Sequence, residues 1–343
     1  MSEKKNSIEN KLSEISKRAL IFSDRERLKK GGIYIPDIFL NFVKISEIAS
    51  VIKGVKPVLE FNCSCEYKYK MEQGLKELKN IYGLEYCVSS RKFLINSPKD
   101  HSEVVDINDP RRGMISCSIS FQRELAERSE EYFLKKSYES EENAEFSRKF
   151  AEIMGYPDCC IDFGDKLSGN LDDPQKIKQN WIWSKAHIRS FMNSDKISRF
   201  LNIYVLPNIL VPHVPCNLNC QPSREYAQKI LEICKKEDDH LSDLVEYFLD
   251  CHSLFWYYSE FIFLRGEKEN NFLRYSEFLP FSLSAERFYG DLSADFQEKF
   301  QRTLFFLEKG NIIQMKDDCF QVYNNDILVG TIKKDYKFEC ILF

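Results

Sequence analysis

Two short segments carry the residues whose types and spacing could do chemistry. Gly155-Tyr156-Pro157-Asp158-Cys159-Cys160 sets two thiols side by side, and His213-Val214-Pro215-Cys216-Asn217-Leu218-Asn219-Cys220 sets two more behind an imidazole. Each segment lies beside a proline expected to open a helix. The first turn of a helix presents unpaired N–H groups and the positive end of the dipole, and both favour thiolate over thiol. Thiolates and neutral imidazole are zinc ligands, and four thiolates also suit an iron–sulfur cluster. Cys159, Cys160, Cys216, Cys220 and His213 therefore form one candidate metal set, with zinc and iron–sulfur both open as cofactor. Within it Cys159 and His213 are the candidate catalytic pair, His213 as ligand or proton carrier. If one of the groups does not ligate, the metal keeps an open position for substrate, which is how catalytic sites differ from closed ones.

The elements around these residues are legible. Phe146, Phe150, Ile153 and Met154 recur at helical spacing, and Gly155 stands where a left-handed stop belongs. Tyr156 precedes a proline and is pushed out of helical geometry, while Pro157 suits the first position of a new helix, so Cys159 and Cys160 fall in its first turn. Neighbouring side chains on a helix point about 100° apart, so the adjacent thiols reach one centre only from a distorted turn, or serve different partners. Leu210 to Pro215 is a proline-bounded loop. A helix with Ala227, Ile230, Leu231 and Cys234 on its inner face follows, opened by Pro222. Cys216 and Cys220 lie just upstream, where backbone N–H groups gather. The C-x3-C pair is followed by Ser223 where radical S-adenosylmethionine enzymes have a third cysteine, so the spacing does not make that motif.

The two segments resemble the hallmark of an uncharacterised, chiefly archaeal prokaryotic family, in which G-Y-P-x-C-C precedes H-x-P-C-x3-C-x2-S. The likeness spans about residues 50 to 235 and is specific only in Met154 to Cys160 and His213 to Ser223. It implies that Cys159, Cys160, His213, Cys216 and Cys220 belong together, and nothing about activity.

Further candidates are weaker. Cys63 and Cys65 would share one strand face, His187 follows Trp183 by one helical turn, and Cys251-His252 has the residue types of a catalytic dyad. Residues packed in a core are the commoner reading of each of these. The terminal Cys340-Ile341-Leu342-Phe343 fits a prenylation box in a eukaryotic host, but it also alternates like a final strand.

With 343 residues the chain can bury a core without staples, and its twelve cysteines then point to a reducing compartment where thiols bind metal or do redox work. The longest apolar runs fall short of the roughly 20 residues of a membrane helix, which makes this a soluble, cytoplasmic protein with no transmembrane segment. A net charge of −4 and a pI near 5.9 give no strong nucleic-acid signal. The basic helix over residues 7–22 offers a face for the body or for a partner helix.

Helical and strand periodicities together predict an α+β fold, with a small N-terminal α/β unit, a helix-rich middle and a C-terminal β-meander. The expected divisions are a basic amphipathic helix at 1–32, the α/β unit at 33–110, the cysteine-site domain at 111–290, and a helix with the meander at 291–343. The leading reading is a cytoplasmic enzyme doing redox or sulfur-transfer chemistry at a Cys/His cluster on an unknown small-molecule or protein substrate. One alternative is a metal-free relay in which Cys159 and Cys160 carry a disulfide or persulfide that Cys216 and Cys220 resolve. The other is a partner-binding protein pinned by a structural zinc.

Overall fold

A computed structural model describes residues 2–94, 103–138, 143–169, 198–201, 210–213, 215–217, 219–256, 260–282, 294–316, 318–333 and 338–341. Helices and antiparallel sheets make it α+β, as the periodicities predict. The chain divides into two compact units, one of Ile15–Pro174 and Phe200–Val245, the other of Met1–Glu14, Gln175–Arg199 and Glu246–Phe343. Among the described residues no helix is long and apolar enough to cross a membrane. The segment of Trp181, Trp183 and His187, which reads as a helix in the sequence, and Asn202 to Leu206, which reads as a buried strand, lie outside the described residues.

The first unit takes up the later part of α1 (Ser2–Ile21), then α2 (Ile45–Ile52), β1 (Val58–Ser64) and α3 (Lys68–Tyr82). α3 ends where Gly83 adopts φ 73°, as its sequence predicts. The strands β2 (Glu85–Val88), β3 (Arg91–Leu94), β4 (Glu103–Asp106) and β5 (Met114–Ser120) complete a five-stranded sheet with β1. β1 pairs with β5 along its whole length, from Val58 opposite Ser120 to Ser64 opposite Met114. By sequence, Leu84 to Val88 and Lys92 to Ile95, separated by Ser89-Ser90-Arg91, read as a short hairpin, but that hairpin does not form. Both strands run in the same direction along β5, Val88 opposite Cys117 and Phe93 opposite Met114, so Ser89-Ser90-Arg91 is a bulge in one edge and not a turn.

In β5, Ile115, Cys117 and Ile119 alternate with Ser116, Ser118 and Ser120, and all six are buried. The small serine face lets α4 (Arg123–Tyr138) approach closely, with Ser118 Oγ 3.3 Å from Ser129 Oγ. Behind it, Phe150 of α5 (Asn143–Ile153) and Met154 just after its end pack against Val58. Then come α6 (Asp158–Gly169) and α7 (Gln221–Glu237), the second packed on α2. At the near end of this unit Ile15 and Phe22 are buried, and Arg18 is ion-paired with Asp238, so part of the basic helix is committed to its own chain.

The second unit includes the end of α8 (Asp239–Leu249), and its sheet has seven antiparallel strands. They are β6 (His252–Trp256), β7 (Glu260–Glu269), β8 (Phe272–Ser282), β9 (Ile312–Met315), β10 (Cys319–Asn324), β11 (Ile327–Lys333) and β12 (Phe338–Ile341), in the order β11-β10-β9-β8-β7-β6-β12. α9 (Ala294–Lys309) supplies Phe306 and Leu307 to a core shared with Leu254, Ile262, Leu273, Ile313 and Phe320. The meander thus starts at His252, well before Gly310 where the pattern of short strands is plainest in the sequence. The reason is the length of β7 and β8: their hairpin carries charged residues near its Asn270-Asn271 tip, which masks the alternation of buried positions.

Candidate metal centre

Two chain corners bring the thiols together. After α5, Gly155 sits at φ 74°, its N–H donates to the Glu152 carbonyl, and the Tyr156 N–H reaches back to the Ala151 carbonyl at 3.2 Å. This is a left-handed helix stop of the six-to-one kind. A Cβ on Gly155 would stand 2.8 Å from Pro57 Cδ, so the corner lies tight against the residue leading into β1. The chain then turns directly into α6. Pro157 stands one position before the helix, its carbonyl accepting from the Ile161 N–H at 3.0 Å, and Cys159 and Cys160 occupy the first turn as expected.

The second corner is the N-terminus of α7. Asn217 Oδ1 accepts from the Asn219 N–H at 2.9 Å, and its carbonyl accepts from the Cys220 N–H at 3.1 Å, closing a tight turn. Cys220 is the N-cap, with Pro222 in the first turn. Two helix N-termini therefore bear on one cluster of sulfurs.

Cys159 Sγ lies 3.7 Å from Cys220 Sγ and 3.9 Å from Cys160 Sγ, and Cys160 Sγ lies 3.7 Å from Cys220 Sγ. With Cys216 included, all four sulfurs lie within 4.8 Å of one another, an arrangement that could hold a metal ion. Thiolates about 2.3 Å from a single tetrahedral ion would be about 3.8 Å apart. The two adjacent thiols do converge on one centre.

His213 is buried but does not join that group of four ligand atoms. Its Nε2 lies 2.8 Å from Ser223 Oγ, and Ser223 Oγ lies 3.3 Å from both Cys160 Sγ and Cys220 Sγ. Around a metal ion the sulfurs would be thiolates, which only accept hydrogen bonds, so the hydroxyl proton of Ser223 would go to sulfur and His213 would donate from Nε2. The Nδ1 of His213 is buried without a hydrogen-bond partner among the described residues. Tyr156 and Tyr226 flank the ring, with centroids 5.0 and 6.0 Å away.

The remaining donors are unevenly shared. Cys160 Sγ accepts from the Cys216 N–H at 3.3 Å, and Cys216 Sγ accepts from Asn217 Nδ2 at 3.4 Å. Among the described residues, Cys159 has no N–H or O–H donor, and it is the exposed member of the set.

Burial pushes the Cys160 thiol far up, against hydrogen bonds from Ser223 and the Cys216 N–H. Burial and the neighbouring Cys220 push Cys216 up to about 12. At Cys220 burial also raises the value, but hydrogen bonds from Ser223, Cys160 and Cys159 outweigh it and leave the thiol below its usual range. Such a cluster ionises once and then resists, because like charges crowd one another. A bound cation removes that resistance. Burial, aided by the charge of Lys56, holds His213 down to about 3, so the imidazole is neutral.

None of the other described candidates belongs to the group of four sulfurs, and His187 lies outside the described residues. Cys63 is buried in β1 and hydrogen-bonds to Cys117 on β5, while Cys65 begins a short 3-10 turn, so the two do not share a strand face. Cys251 Sγ reaches the Tyr247 carbonyl at 3.5 Å, and the buried His252 sits on β6 and hydrogen-bonds to the Gly266 backbone. Cys340 lies in β12, opposite Leu254. Ser223 and Lys56 are the residues that sequence reasoning missed. The C-x3-C-x2-S spacing contained the signal for Ser223, which stands one helical turn beyond Cys220; Lys56 left no signal. Compared with known proteins, the chain matches no family profile, no curated protein and no solved structure.

Proposed function

We propose that the protein binds one zinc ion through Cys159, Cys160, Cys216 and Cys220, and that it works as an enzyme or reactive protein whose chemistry is that of a zinc-bound thiolate. The separations of 3.7 to 3.9 Å among Cys159, Cys160 and Cys220 carry this reading, since they equal the edge of a tetrahedron around one ion, and Cys216 lies within 4.8 Å of all three. An iron–sulfur cluster places thiolates on different irons and spreads them by the iron–iron separation as well. The free state of the described cysteines supports a reducing, cytoplasmic setting. His213 acts through Ser223 in this proposal, as a positioning residue and not as a ligand. The likeness of the two segments to an uncharacterised prokaryotic family would extend the same centre to that family.

Elemental analysis of protein purified without oxygen tests the proposal. One zinc per chain is expected, with loss of zinc in C160S and C220S. Cobalt in place of zinc should give the intense visible bands of a tetrahedral tetrathiolate. One iron per chain without sulfide would keep the geometry and make the centre a one-electron carrier. Iron with equimolar sulfide, or protein that binds no metal while its thiols titrate freely, would overturn it.

A further inference from the structure

Zinc-bound thiolates are not equally reactive when their surroundings differ. Hydrogen-bond donors withdraw electron density from sulfur and occupy its lone pairs, and protein on all sides keeps an electrophile away. Cys160 and Cys220 have both kinds of protection, and Cys216 has a donor and partial cover. Cys160 is buried and takes the Cys216 N–H and Ser223, Cys220 is buried and takes Ser223, and Cys216 is half-buried and takes Asn217 Nδ2. Cys159 is exposed and, among the described residues, meets only other sulfurs.

We infer that Cys159 is the nucleophile of the centre, and that its substrate class is a saturated carbon electrophile, an alkyl or methyl group on a good leaving group. This rests on the zinc reading above. The Cys159 Sγ lone pair forms the S–C bond, and the bond from carbon to its leaving group breaks with its electron pair going to that group. The thioether product lowers the negative charge of the ligand set by one. No proton moves, and no oxidant or reductant is required.

The crowding of the sulfurs selects carbon over a disulfide substrate. A mixed disulfide formed on Cys159 would have Cys220 Sγ 3.7 Å away. Attack by that neighbour would close a Cys159–Cys220 bridge, expel the substrate thiol and strip two ligands from the metal. A thioether cannot be resolved in this way. Alkylation is therefore the reaction the centre can survive.

The test uses the full-length, zinc-loaded protein and one equivalent of iodoacetamide, with zinc measured before and after and the modified residue located by peptide mass mapping. The expected result is a single carbamidomethyl group on Cys159, at least tenfold in excess over any other cysteine of the centre, with zinc retained. In the cobalt-loaded protein the same reaction should weaken the sulfur-to-metal charge-transfer absorbance without loss of metal. N217D removes the donor to Cys216 but keeps the Oδ1 that accepts from Asn219, and it should bring Cys216 into the modified fraction. If zinc is bound but Cys160, Cys216 or Cys220 is modified first, or all four equally, the assignment of Cys159 is wrong while the zinc reading stands. An N217D pattern identical to that of the parent would also overturn it, since donors would then not govern the choice. Protein that carries no metal before treatment would remove the zinc reading, and this inference with it.

Discussion

Ser223 Oγ lies 2.8 Å from His213 Nε2 and 3.3 Å from Cys160 Sγ and Cys220 Sγ, so one hydroxyl joins an imidazole to two sulfurs. S223A should weaken zinc binding by roughly 10- to 100-fold, the usual range for loss of a partner that orients metal ligands. Competition with a chromophoric chelator measures this. H213Q should weaken binding in the same direction but less, since Ser223 would remain. Equal affinity in S223A and the parent would mean that the hydroxyl only fills space.

Gly155 holds its corner at φ 74° with Pro57 where a side chain would go. G155A should cost about 1–2 kcal/mol for the left-handed backbone alone, and more for the overlap with Pro57. Urea unfolding of the zinc-loaded protein gives the stability. Zinc affinity should fall in parallel, because the corner aims Cys159 and Cys160. A G155A protein as stable as the parent would contradict the packing described here.

Lys56 is 1 % exposed, and among the described residues its Nζ meets Glu47 in an ion pair at 3.5 Å without a well-formed hydrogen bond. Burial lowers its basicity, against the attraction of Glu47. The folded state therefore binds this proton less tightly than the unfolded chain does. Stability gained from this group should rise with pH and be complete only above the usual lysine range. K56M removes the desolvated charge and leaves Glu47 partly in water, so it should stabilise the protein by roughly 1–3 kcal/mol near neutral pH. A destabilised K56M would show that the ion pair outweighs the burial of the amine.

His252 is buried, and burial holds it down to about 4, opposed by a hydrogen bond with the Gly266 backbone. The unfolded chain takes up this proton near pH 6.5, whereas the folded chain does so only near 4. Stability should fall as pH drops through that window, by roughly 2 kcal/mol between pH 6.5 and 5. H252Q should flatten this part of the pH profile in denaturant titrations. An unchanged slope in H252Q would assign the acid sensitivity to other groups.

The four thiols were legible as a set because cysteine pairs beside helix-opening prolines leave few other readings, and Gly155 announced the corner that aims them. His213 was read as ligand or proton carrier because it lies three residues before Cys216, and spacing along a loop does not fix which way a ring faces; its Nε2 lies against Ser223, outside the group of four sulfurs. Ser223 carries the link instead. Helices with apolar stripes, such as α3 and α5, were plain from their periodicity. β2 and β3 were misjudged as a hairpin because three polar residues between short strands look alike whether they turn the chain back or let it bulge, and only the partner β5 decides.

Cys160 and Cys216 are separated by 56 residues, and their side of the centre is joined by a single ion in the proposed assembly. Tying two points that far apart acts on the denatured ensemble as a covalent clasp would, a restriction of about 4 kcal/mol in chain entropy for a loop of this length. Loading and folding thus become a single thermodynamic event. The temperature of the thermal transition should climb with the free zinc concentration, which would make this chain a gauge of the zinc supply around it.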